Sequence, residues 1–292
     1  MTKIDRLIES IERTGNPTAL GLDTRAEYLP KGLAGEFPVA EAILRFNRAL
    51  IDALSDMVSC VKIQVAFYEM LGLEGMEVFR ETLLYSREKG MLTIADVKRN
   101  DIGSTAEGYA AAYLHGDSPF PADFVTINPY LGFDGIKPFL DVCQESGGGV
   151  FVLARTSNPS AVEFQDLPVQ CAGSSTPFYM HVGRKIGEWG EDFIGEHGYS
   201  SVGAVVGATW PEDGKALRSL LPHTFFLVPG FGAQGGAARD ISGCFDKNGR
   251  GAVVNASRSL LCAHQKRNTE DFAAAARDEA LNMRDQLRAA IW

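Results

Sequence analysis

Two hydrophobic rhythms alternate along this chain, a strand-like period of two and a helical period near 3.6. Ile4, Leu7, Ile8 and Ile11 fall at helical spacing, and Gly15-Asn16-Pro17 stops that opening helix. Strand patterns follow at 18–23, 57–63, 91–94, 124–128, 149–154, 201–207, 224–228 and 251–256. Between them lie helical patterns at 40–55, 67–89, 106–114, 136–144, 177–193 and 212–221, the second interrupted near Gly72-Leu73-Glu74-Gly75. A closing helix spans about 270–290, with Thr269 as its predicted cap. Residues 158–174 are irregular, with Pro159, Pro168 and Gly173, and read as a long surface loop on a strand end.

Eight strands alternating with helices over 292 residues predict a (β/α)8 TIM barrel, in one domain spanning residues 1–292 with an N-terminal and a C-terminal helix. An open doubly wound sheet is the main competitor, but no GxGxxG follows the first strand. Apolar residues make up 45% of the chain, enough for one large core, and no linker argues for a split.

A barrel gathers the C-terminal ends of its strands at one mouth. Asp23, Lys62, Asp96, Lys98, Ser157 and Arg258 should therefore converge despite their separation in sequence. Alternation agrees: Asp23 shares a face with Ala19 and Gly21, Lys62 opposes Val61 and Ile63, and Asp96 shares a face with Ile94 and Lys98. Acids and bases at the end of a buried strand are costly unless they pair, so such a cluster usually marks a site. A simpler reading stands beside it, in which Asp96 and Lys98 form an ordinary ion pair and Asp101 caps the helix that starts near Gly103.

The seventh strand runs into Val228-Pro229-Gly230-Phe231-Gly232-Ala233-Gln234-Gly235-Gly236, whose backbone amides can approach an anion unobstructed, and Arg258 follows the eighth. Barrels often bind phosphate with these two loops, so a phosphate site is predicted here; a plain tight turn and a surface arginine are the bland alternative. Asn128 and Tyr130, after the fourth strand, are further candidates for the mouth, or for packing.

Composition narrows the choice. With 28 basic and 37 acidic residues the net charge is −9, which offers no broad basic surface for nucleic acid. The charged N-terminus lacks the apolar stretch of a signal peptide, and no run is long enough to span a membrane. Cys60, Cys143, Cys171, Cys244 and Cys262 are scattered without a CxxC pair, which fits reduced thiols in a cytoplasm and argues against a zinc site. The five histidines, His115, His181, His197, His223 and His264, lie in helices or connections and receive no catalytic role. Neither a Ser/His/Asp order nor HExxH is present, which argues against triad hydrolysis and zinc peptidase chemistry.

Asp96-Val97-Lys98-Arg99-Asn100-Asp101-Ile102, followed by Thr105, resembles the DxKxxDI signature of the orotidine 5′-phosphate decarboxylase family, and Pro229 to Gly236 resembles its PGxGAQGG phosphate loop. The similarity runs from Asp23 to Arg258, and Thr156-Ser157-Asn158-Pro159 with the extra residues near 160–175 looks like the longer bacterial (type 2) branch. The resemblance implies a cofactor-free, metal-free conversion of orotidine 5′-monophosphate to uridine 5′-monophosphate and CO2, the last step of de novo pyrimidine synthesis. It places Lys98 as proton donor, Asp96 beside the departing carboxylate, and Asp23 and Lys62 on ribose hydroxyls. It also implies a homodimer with shared sites, Asp101 and Thr105 completing the neighbour's ribose site. Ser157 would contact the pyrimidine amide, Gln234 would bridge base and phosphate, and Arg258 with Gly235 and Gly236 would grip the phosphate.

Three other readings remain open on residues alone. DxKxxD is shared with metal-dependent sugar-phosphate decarboxylases and aldol synthases that pass through an enediolate. Lys98 or Lys62 could serve a Schiff-base aldolase. The third is a catalytically silent phosphate-binding barrel.

Overall fold

In the computed structural model, which describes residues 1–171, 173–232 and 238–292, eight parallel strands close into a barrel. They are β1 (Thr18–Leu22), β2 (Cys60–Gln64), β3 (Leu92–Arg99), β4 (Phe124–Ile127), β5 (Gly149–Arg155), β6 (Ser200–Val206), β7 (Thr224–Val228) and β8 (Ala252–Ala256). Each pairs with its sequence neighbour, and β1 pairs with β8 to complete the ring. The predicted (β/α)8 TIM barrel is thus the observed fold.

Strand alternation splits the core into two layers. Ala19, Cys60, Leu92, Ile94, Phe124, Phe151, Val205, Phe225, Leu227 and Val253 fill the barrel. Leu20, Leu22, Val61, Ile63, Val125 and Val152 face the surrounding helices instead. Room for the interior rings comes from Gly203, where a Cβ would stand 2.6 Å from Phe151 Cδ1. Phe151 in turn packs on Phe124 with ring centroids 5.4 Å apart. Burying each such ring contributes about 1.5–3 kcal/mol relative to exposure.

The helix Lys3–Thr14 starts in a capping box between Thr2 and Asp5. Its apolar stripe, Ile4, Leu7, Ile8 and Ile11, joins the interior cluster and plugs the N-terminal end of the barrel. The other end stays open, and the charged residues gather there.

Several expectations are revised. The second strand begins at Cys60 rather than 57, because residues 54–58 make a turn in which Val58 N–H bonds Leu54 O. The helical stretch from 67 does break, into Ala66–Glu69 and Gly72–Glu88, with Gly72 at φ +67°. Residues 158–174 are no plain loop: a turn of 3-10 helix and the helix Val162–Gln165 lead into an antiparallel hairpin, Pro168–Cys171 with Ser174–Pro177. The closing helix, Phe272–Ile291, is capped by Asp271, whose side chain accepts from Ala274 N–H, and Thr269 instead accepts from Asp271 N–H.

Candidate active site

Register does the first part of the assembly. Lys62 stands beside Gly21 of β1 and Ile94 of β3, and Gln64 beside Asp96, so inward side chains of three strands share one level of the mouth. Lys62 Nζ lies 3.2 Å from Asp23 Oδ1 and 2.9 Å from Asp96 Oδ2. Lys98 Nζ sits 2.5 Å from Asp96 Oδ1. The chain of alternating sign, Asp23, Lys62, Asp96, Lys98, is therefore continuous.

Asp96 is its centre. Besides the two ammonium groups it accepts from Gln64 Nε2 at 3.0 Å and from Thr126 Oγ1 at 2.8 Å, so each carboxylate oxygen has two partners. Burial opposes its ionisation, but Lys62 and Lys98 outweigh that and hold its carboxyl well below the usual range. For Lys62 burial likewise opposes the charge, and Asp23 and Asp96 overcome it, raising the ammonium above its ordinary value. Lys62 is 3% exposed whereas Lys98 is 44% exposed, so the first is locked between carboxylates and the second reaches into the cavity.

The backbone bends to present Lys98. Pairing of β3 with β4 slips between Ala95 and Arg99, and Lys98 takes φ +47°. Both Val97 N–H and Lys98 N–H donate to Thr126 Oγ1, each at 3.0 Å. A lysine held in the left-handed region costs about 1–3 kcal/mol and persists where its surroundings fix it, which is common at functional sites.

A buried polar network steadies β1 behind Asp23. Thr24 Oγ1 donates to Asn47 Oδ1 at 2.7 Å, Asn47 Nδ2 donates to Tyr68 Oη at 2.9 Å, and Tyr68 Oη donates to Leu22 O at 3.2 Å.

The cavity over the charged array measures about 550 Å³, and Asp23, Lys62, Asp96, Lys98, Ser157 and Arg258 all line it, as the barrel argument required. Thr156, Asn158, Tyr28 and Phe67 complete part of its wall. Arg258 opens the short helix Arg258–Leu261 just past β8. Gln234, Gly235 and Gly236 lie outside the described residues. Asp101 and Thr105 do not line this cavity: Asp101 Oδ1 accepts from Ile102 N–H, and Thr105 is exposed in the first turn of the helix Gly103–Leu114. Asn128 and Tyr130 do not line it either, and Asn128 Oδ1 accepts from Tyr130 N–H in a local turn. Thr126 is the β4 residue at the site. Both Gln64 and Thr126 were missed in the sequence, although strand parity with Lys62 and Phe124 points them inward.

The family model described as orotidine 5′-phosphate decarboxylase / HUMPS family matches residues 20–270. The chain belongs to this family. The orotidine 5′-phosphate decarboxylase of Clostridium perfringens (strain SM101 / Type A) is 45% identical over 289 residues, covering 98% of both chains. A Streptomyces avermitilis crystal structure assigned provisionally to the same activity superposes with a TM-score of 0.83 and 34% identity, covering 98% of this chain and 95% of that one. The Leishmania donovani OMP decarboxylase structure gives a TM-score of 0.79 at 27% identity, covering 100% of this chain and 99% of that one. Family membership thus agrees with the resemblance carried by the DxKxxDI and PGxGAQGG segments.

Proposed function

We propose that this chain decarboxylates orotidine 5′-monophosphate to uridine 5′-monophosphate and CO2, closing de novo pyrimidine synthesis in the cytoplasm. The observation that carries the reading is the Lys98 ammonium, exposed in the cavity and tethered 2.5 Å from a buried Asp96. When the bond from C6 of the pyrimidine to its carboxylate breaks, the electron pair stays on C6 and CO2 leaves. A cation fixed beside that carbon stabilises the developing charge, then transfers a proton to C6 and regains one from water.

Asp96 orients that ammonium and, being held ionised by both lysines, faces the substrate carboxylate with like charge. Asp23 and Lys62 take ribose hydroxyls, Ser157 the pyrimidine amide, and Arg258 the phosphate with Gly235 and Gly236, Gln234 spanning from phosphate to base. Binding energy from the remote phosphate is then available to hold the ring against the charged array. Asp101 and Thr105 act from the partner subunit of a homodimer, a role that fits the exposed Thr105 and the 54% exposed Ile102 beside them.

Lys62 already fills the space between Asp23 and Asp96 and satisfies both carboxylates, so turnover is expected to survive a chelator, unlike that of a metal-dependent sugar-phosphate barrel. The deciding assay follows the loss of orotidine 5′-monophosphate by ultraviolet absorbance, with and without EDTA. Lys98→Ala should lower kcat by at least about a thousandfold while leaving uridine 5′-monophosphate affinity within about threefold. Undiminished turnover by that variant would overturn the assignment.

A further inference from the structure

The segment between β5 and the helix Phe178–Trp189 lies against the mouth through a buried guanidinium that the reaction does not use. Arg155, the last residue of β5, is 2% exposed, although an arginine at a strand end ordinarily reaches water. Its Nη1 is 2.6 Å from Asp166 Oδ1 and its Nη2 is 2.9 Å from Asp213 Oδ2. The guanidinium carbon sits 4.8 Å from the Tyr179 ring centroid and 4.4 Å from that of Trp210. Three separate pieces of chain thus converge on one cation: the segment after β5 through Asp166, the helix Phe178–Trp189 through Tyr179, and the start of the helix Pro211–Leu220 through Trp210 and Asp213.

The next two residues, Thr156 and Ser157, line the cavity, and they are held by Trp210 and by the chain neighbours of Asp166 and Trp210. Thr156 N–H donates to Gln165 Oε1 at 3.0 Å, and Gln165 Nε2 donates to Thr156 Oγ1 at 2.7 Å. Trp210 Nε1 donates to Thr156 O at 3.0 Å, and Thr209 Oγ1 donates to Ser157 O at 3.1 Å. Gly207 lets the end of β6 come so close that a Cβ there would stand 2.8 Å from Ser157 N. The backbone of the 156–157 step and the Thr156 side chain are therefore held from the segment after β5 on one side and from the residues past β6 on the other.

We propose that the segment 158–170 is a positioning element for recognition of the base: Gln165 and the Arg155–Asp166 pair hold Thr156 and Ser157 in the pose that meets the pyrimidine ring. Arg155 and Gln165 are positioning residues, since they act through 156–157. The proposal deepens the decarboxylase reading and rests on it. Its signature is selectivity. Loosening the wall should weaken what the base contributes to binding and leave what the ribose phosphate contributes, because Asp23 and Arg258 follow other strands, β1 and β8.

The test uses Gln165→Leu, which keeps the side chain's size but removes both hydrogen bonds to Thr156, with Gln165→Glu as the conservative partner that still accepts from Thr156 N–H. Asp166→Asn leaves Arg155 in place and weakens its tether. Dissociation constants for uridine 5′-monophosphate and for ribose 5-phosphate are measured by titration calorimetry beside KM and kcat. For Gln165→Leu the expected result is a rise of about tenfold in KM and in the nucleotide Kd, ribose 5-phosphate affinity unchanged within about twofold, and recovery of most of the loss in Gln165→Glu. Nucleotide and ribose 5-phosphate affinities moving together, or neither moving in Gln165→Leu and Asp166→Asn, would overturn it. Failure of the wild-type chain to consume orotidine 5′-monophosphate would instead remove the decarboxylase reading, and the ratio of the two affinities would still decide whether the wall senses the base.

Discussion

Asp96 and Lys62 depend on one another, and their titration sets where the site survives. Asp96 is depressed below its ordinary 3.8, so the stability it adds is complete above that value and is lost as pH falls toward the depressed one. Lys62 is raised above its ordinary 10.5, so its contribution is complete below that value and is lost as pH climbs through the raised one. From about pH 5 to 10 the pair should contribute a constant amount. Asp96→Asn should flatten the acid limb of urea midpoints measured from pH 5 downward. It should also cost about 3–5 kcal/mol at neutrality, since the buried Lys62 then loses the more buried of its two counter-charges. A midpoint that still falls with acid as in the wild type would show that other carboxylates govern that limb. At this scale Asp23, Lys62, Asp96 and Lys98 were legible because strand parity is a local property. The bulge and left-handed turn at Lys98 were not, since they arise from Thr126 on the neighbouring strand.

At the scale of elements, the sequence marked where helices and strands fall better than how they end. Thr269 and Asp271 are both good caps two residues apart, and local preference does not choose between them. The structure uses Asp271 for Ala274 N–H and turns Thr269 toward Asp271 N–H. Asp271→Ala should therefore lower stability by about 1 kcal/mol in denaturant unfolding, and Thr269→Ala by clearly less; equal losses would contradict this cap assignment. The hairpin after β5 was not legible for a related reason. Its two four-residue strands carry little hydrophobic alternation, and Thr176 Oγ1 accepts from Arg184 Nη1 of the following helix, a contact that local preference does not show.

For the whole molecule, the proposed sharing of sites gives a prediction that one subunit cannot satisfy. Lys98→Ala and Asp101→Ala should each be nearly inactive. If Asp101 serves the opposite subunit, mixing and reassociating the two should restore about a quarter of wild-type activity, because one site in each hybrid dimer keeps both residues. No recovery on mixing, with hybrids demonstrated by native mass spectrometry, would place Asp101 in its own subunit's site.

The order of strands and helices, the parity that sends Asp23, Lys62, Asp96 and Lys98 inward, and the two family segments were all set by the sequence alone, because each depends on spacing within a few residues. What only the folded barrel decided was which of these side chains touch. Closure and register put Gln64 beside Asp96 and Thr126 against the Lys98 backbone, the opening helix plugged the far end, and the segment after β5 was drawn onto Arg155. Those contacts join residues far apart in the chain, and their geometry exists only once eight strands have met in a ring.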